Sequence, residues 1–110
     1  MRSSDEVRAA ETEALFREVN ERIAESAQRF EADETEFVCE CADASCTHRV
    51  SAPLDLYEEV RAEPTRFLLA RGHHDERFEQ VVVEREEVAV VEKMTRLMRE
   101  TVQRLDPRTA

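Results

Sequence analysis

The sequence predicts an α+β domain: a small, mainly antiparallel sheet carrying a long N-terminal helix and a shorter C-terminal one, in the order α-β-β-α-β-β-β-α. Three observations predict it. Residues 5–30 contain neither Gly nor Pro and repeat apolar side chains at spacings of three and four. Two β-branched runs, 78–84 and 87–91, flank Arg85-Glu86 in the manner of a hairpin. Between these regions all three cysteines fall within eight positions, Cys39-x-Cys41-x4-Cys46, followed by His48. Soft sulfur donors at that density point to zinc, so the fold is expected to be stapled by a Zn2+ site.

Phe16, Val19, Ile23, Ala27 and Phe30 form the apolar stripe of the first helix, over residues 1–30. Ser3 or Ser4 is expected to cap it, with Asp5 and Glu6 in the first turn. Val7, Ala10, Ala14 and Leu15 continue the apolar side toward the N-terminus, so part of this helix is expected to overhang the core. Residues 36–41 alternate as a strand, putting Phe37, Cys39 and Cys41 on one face. Residues 42–45 make a turn in which Asp43 can bond back to the backbone. Extended structure resumes at Thr47, and Pro53 stands in the first turn of a second helix. That helix buries Leu54, Leu56, Tyr57 and Val60 and ends before Pro64. Residues 66–71 form a third strand stopped by Gly72, the chain's only glycine, placed there for a positive φ. After the hairpin the period changes again, and Met94, Leu97, Met98, Val102 and Leu105 mark a last helix over 93–106.

These elements make one domain over residues 1–110: the helix 1–30, a core 36–92 with the metal site, and the helix 93–106. With 38% charged and 41% hydrophobic residues the chain is expected to fold and stay in solution. Its net charge of -10 repels a phosphate backbone, which argues against nucleic acid as partner. No apolar run approaches the roughly 20 residues of a membrane span, and the first five residues do not open a signal peptide. A cytoplasmic location is expected, because three clustered cysteines suit a reducing compartment and metal ligation better than disulfides. Fifteen of 16 basic residues are Arg, Lys93 being the exception, which reads as a GC-rich genome. Residues 1–36 carry 11 acids and 5 bases while residues 93–110 carry 5 bases and 2 acids. Opposite charge favours pairing of the terminal helices, within a chain or between two chains as a homodimer.

Zinc takes four ligands. Cys39, Cys41 and Cys46 supply three, and the fourth is local His48 or, from beyond the third strand, His73 or His74. Spacing alone chooses His48. A reduced thiol cluster, a redox pair or another metal are the alternatives. The deaminase and H-E-x-x-H signatures, a Gly-rich phosphate loop and a G-x-S-x-G elbow are all missing, so no enzyme is expected. Two functions remain: a protein-interaction or regulatory module with a structural metal, binding a protein partner or a second copy, and a thiol or metal sensor.

The segments Phe37-Val38-Cys39-Glu40-Cys41 with Cys46, Leu54 with Tyr57-Glu58-Glu59-Val60-Arg61, Pro64 with Arg66-Phe67, and Gly72-His73 resemble a group of small uncharacterised actinobacterial proteins. Asn20-Glu21-Arg22-Ile23 and Val90-Val91-Glu92-Lys93 fit the same group, so the similarity spans most of residues 17–93. The group's pattern carries the three cysteines and the Gly-His, while other residues more often stand where His48 does. The resemblance therefore implies Cys39, Cys41, Cys46 and His73 as the metal ligands. It brings no activity with it.

Overall fold

A computed structural model describes residues 2–108. The elements run α1 (Arg2–Arg29), β1 (Glu34–Val38), β2 (Arg49–Pro53), α2 (Leu54–Arg61), β3 (Arg66–Ala70), β4 (Glu79–Glu84), β5 (Val88–Lys93) and α3 (Arg96–Arg104), in the order the sequence predicts. The strands divide into two antiparallel sheets, β1-β2 and β3-β5-β4. Arg85 N–H donates to Val88 O at 2.8 Å and closes the β4–β5 hairpin. Register slips by one residue between Val81 and Val83, leaving Val82 bulged and exposed.

Phe37, Val50, Tyr57, Phe67, Leu68, Leu69, Val91 and Met98 are fully buried in one core shared by both sheets. Phe37 stacks on Tyr57 with centroids 4.6 Å apart, joining β1 to α2. Pro53 occupies the N-cap of α2, and Thr95 caps α3 by accepting Met98 N–H at 3.2 Å. Because Thr95 caps it, α3 starts after Lys93, which ends β5 instead.

The long helix departs from expectation in three ways. Ser3 and Ser4, the expected caps, fall inside the helix, which already runs at Arg2. At about 1.5 Å per residue its 28 residues reach roughly 42 Å, close to the molecule's 44 Å longest axis, and the segment expected to overhang is partly covered. Ala10 and Ala14, assigned to the overhang, are buried, and Val7 is half-buried. The buried face is Ala9, Ala10, Glu13, Ala14, Arg17, Asn20, Ala24 and Ala27. Of the predicted stripe only Ala27 is fully covered; Phe16 and Ile23 are half-buried, and Val19 and Phe30 face solvent. Small residues let α1 approach closely, and its three buried polar side chains bond across to other elements. Arg17 donates to Pro64 O at 2.6 Å and Val102 O at 2.9 Å, fastening α1 to α3, whose Met98 and Val102 are buried within the same chain.

Lys93 also has a structural place that composition concealed. Its ammonium is buried between the carboxylates of Glu13 on α1 and Glu79 on β4, 5.0 Å from the centre of the Phe67 ring. The Arg17 guanidinium lies 4.3 Å from the same ring centre, so two cations rest on one aromatic side chain.

Candidate metal centre

Residues 39–41 leave the β1–β2 ladder and turn to the second sheet. Cys39 N–H makes the last bond to the β2 side, to His48 O at 3.1 Å; one residue on, Glu40 N–H donates to Leu68 O of β3 at 2.9 Å. The predicted strand through Cys41 therefore ends at Val38 as a ladder, and the cysteines sit in the crossing between sheets. Glu40 holds that crossing in place. Its carboxylate, fully buried, accepts Leu68 N–H at 2.9 Å and the Asn20 amide at 2.8 Å. Asn20 also bonds both Val38 N–H and Val38 O at 2.8 Å, tying α1 to the end of β1. Burial pushes the Glu40 carboxyl up to about 7 against the pull of these hydrogen bonds. With Glu40 turned inward, alternation leaves Cys39 and Cys41 on its other side.

Cys46 is returned to them by a tight turn. Asp43 accepts Ser45 N–H at 2.9 Å and the Ser45 hydroxyl at 2.6 Å through its carboxylate, and Cys46 N–H at 3.0 Å through its carbonyl. His73 arrives from the other sheet. β3 ends at Ala70, Gly72 takes φ 84°, and His73 N–H closes the turn on Ala70 O at 3.1 Å. A Cβ on Gly72 would meet nothing within 4 Å, so the backbone angle alone asks for glycine there.

The result is a Cys3His group whose ligand atoms all lie within 4.8 Å of one another. His73 Nδ1 stands 3.6 Å from Cys39 Sγ and 3.7 Å from Cys46 Sγ. A tetrahedral zinc with Zn–S about 2.3 Å and Zn–N about 2.0 Å holds neighbouring donors roughly 3.5–3.8 Å apart, so these donors can hold a metal ion after only a small contraction. Ala70 N–H points at Cys39 Sγ from 3.2 Å, the kind of hydrogen bond that steadies a metal-bound thiolate. The closeness of the Cys39 and Cys41 sulfurs draws the Cys41 thiol down to about 5 and pushes that of Cys39 up, and desolvation pushes Cys46 up. Sulfurs this close ionise together only when a cation compensates them, which is the donor chemistry of a metal centre.

His48, the local candidate, is exposed and stands outside the four-donor group; its ring lies edge-on to His73 with centroids 4.9 Å apart. His74 turns away, with Nε2 3.8 Å from Glu76 and Nδ1 buried without a hydrogen-bond partner. Cover is uneven. Cys39 and Cys41 are buried, Cys46 is half-buried, and His73 lies at the surface on the wall of an open cleft of about 820 Å³ shared with Arg8, Asp43, Asp75 and Arg77. Sequence reasoning missed Glu40 and Asn20 as the residues that orient the cysteines; a glutamate between two metal ligands was the available signal.

Comparison with known protein families, with curated proteins and with solved structures returns no match. No helix among the described residues is long and apolar enough to cross a membrane.

Proposed function

We propose that this chain is a small cytoplasmic zinc protein, a protein-interaction or regulatory module whose metal is structural, with Cys39, Cys41, Cys46 and His73 as ligands. One observation carries the reading: three donors follow from the β1–β2 unit and the fourth from the far end of β3, so a bound ion would crosslink the two sheets. The S3N donor set suits zinc above oxygen-seeking Mg2+ or Ca2+. A structural rather than enzymatic role is supported by Glu40, the carboxylate nearest in sequence to the ligands, whose oxygens are engaged by Leu68 and Asn20. Free energy of metal binding is then folding free energy. Thermal unfolding of metal-loaded and chelator-stripped protein tests this. The reading expects the stripped protein to melt lower or without cooperativity; superimposable curves after verified metal removal would overturn it.

The uneven cover favours a second reading, a thiol or metal sensor. Cys46 is the ligand sulfur that solvent reaches. A hydroperoxide taken up there would transfer its terminal oxygen to the Cys46 thiolate and, with a proton from solvent, leave a sulfenic acid and release water or an alcohol. A second cysteine thiolate would then displace hydroxide, forming an S–S bond and freeing the metal. Loss of two titratable thiols per metal released under dilute peroxide supports this reading, and metal retention with all thiols intact contradicts it.

A further inference from the structure

Most of the large apolar side chains of α1 are turned away from the domain's own core, Ile23 alone packing against its edge. The helix buries alanines, Glu13, Arg17 and Asn20, yet Leu15 is 62% exposed, Val19 43% and Phe30 76%, with Phe16 and Ile23 half-buried beside them. These residues are not scattered. Phe16, Val19, Ile23, Ser26 and Phe30 follow one another at steps of three, four, three and four, the seam of a helix packed along a second helix. Within the chain α3 cannot fill that role, since it lies on the Arg17 side of α1 and spends Met98 and Val102 there.

We infer that the outer face of α1 is an interface with a second copy of this chain, formed by two α1 helices packed antiparallel about a two-fold axis. The seam is self-complementary in that arrangement. Centred near residue 21, it sets Val19 against Ile23 of the second copy and Phe16 against its Ser26, a large ring facing a small side chain. Charge agrees. Glu11, Glu18, Arg22 and Arg29 line the solvent flank of the seam, and among the described residues none of them makes an ion pair within the chain. In the same register Arg22 of each helix stands two positions from the point opposite Glu18 of the other, and Arg29 two positions from that opposite Glu11, an axial offset of about 3 Å that an arginine side chain spans. A parallel arrangement would instead set this flank across from the opposite, core-side flank of the second helix, where these four charges do not meet one another. The inference is independent of the metal reading, because the seam lies on α1 and contains no ligand.

Sedimentation of the full-length protein tests it at about 5–100 micromolar. The expected mass is that of a dimer, with Val19→Asp giving a monomer of unchanged helical content, since Val19 is exposed in the single chain. Glu18→Arg and Arg22→Glu are each expected to weaken association at least about tenfold, and the two together to restore it. A monomer over the whole range, a dimer indifferent to Val19→Asp, or failure of the double variant to recover would each overturn the proposal. Assembly seen only after another protein is added would do the same, by assigning the face to that partner.

Discussion

His73 Nδ1 lies 3.6 Å from the Cys39 sulfur across 34 positions of sequence, and this is the contact by which the two sheets meet at the candidate metal centre. Neither residue reaches it alone. Cys39 is delivered by the crossing from β1 to β3, and His73 by the turn at Gly72. Both are kept there by backbone hydrogen bonds to Ala70, from His73 N–H to its carbonyl and from its N–H to the Cys39 sulfur.

Glu40 is expected to matter more than its distance from solvent suggests. Glu40→Ala leaves Leu68 N–H and the Asn20 amide without their acceptor, at about 1–3 kcal/mol for each buried group. Glu40→Gln is hardly better, because its single carbonyl oxygen replaces two carboxylate oxygens and its NH2 faces a donor. Both variants should also loosen the cysteines, weakening metal affinity roughly 10–100-fold in a competition titration against a chelator. Wild-type affinity in either variant would separate this clamp from the centre.

Lys93 and Glu13 should respond in opposite directions. Burial raises the Glu13 carboxyl well above its ordinary range, Lys93 lowers it and Glu79 raises it again. A carboxyl raised on folding costs stability as pH climbs from its unfolded value toward its folded one, so Glu13→Gln should be neutral or stabilising above pH 7. Lys93→Met leaves two buried carboxylates without their counter-charge and should cost about 3–5 kcal/mol in denaturant unfolding.

Acid sensitivity should come from the other end of α1. Burial raises Glu21 and Asp106, but hydrogen bonds from Arg108, Tyr57 and Arg61 and the Arg61 charge outweigh it, so both carboxyls sit below their ordinary values. A depressed carboxyl adds stability that is complete above its unfolded pKa, near 4, and is lost as pH falls through the folded value. Melting temperature is expected to drop below about pH 4, and less steeply in Arg61→Met than in wild type once their difference at neutral pH is taken into account.

The order of elements was legible because each carries a local signal: period 3.6 in α1 and α3, β-branched runs in β4 and β5, Pro53 and Pro64 bounding α2, and a positive φ at the one glycine. The buried face of α1 was not legible. Periodicity finds where large apolar residues lie along a helix, and here the core takes the alanines while Val19 and Phe30 are left outside. Nor did the sequence disclose the partition into two sheets, since whether residues 39–41 pair with β2 or β3 depends on a side chain, Glu40, standing in for a backbone acceptor. Lys93 looked like composition until Glu13 and Glu79 surrounded it. For the cluster itself, the cysteines were evident from spacing, and the resemblance implied His73 where proximity in sequence favoured His48. Long-range geometry then brought His73 to the thiols because β3 runs beside the crossing.

The measurement that tests the central claim most directly is elemental analysis of protein purified without chelators, run on the wild type and two histidine variants. The account predicts one zinc per chain, retained by His48→Ala and lost or sharply reduced in His73→Ala. Protein free of metal, or zinc that leaves with His48 and stays without His73, would contradict it.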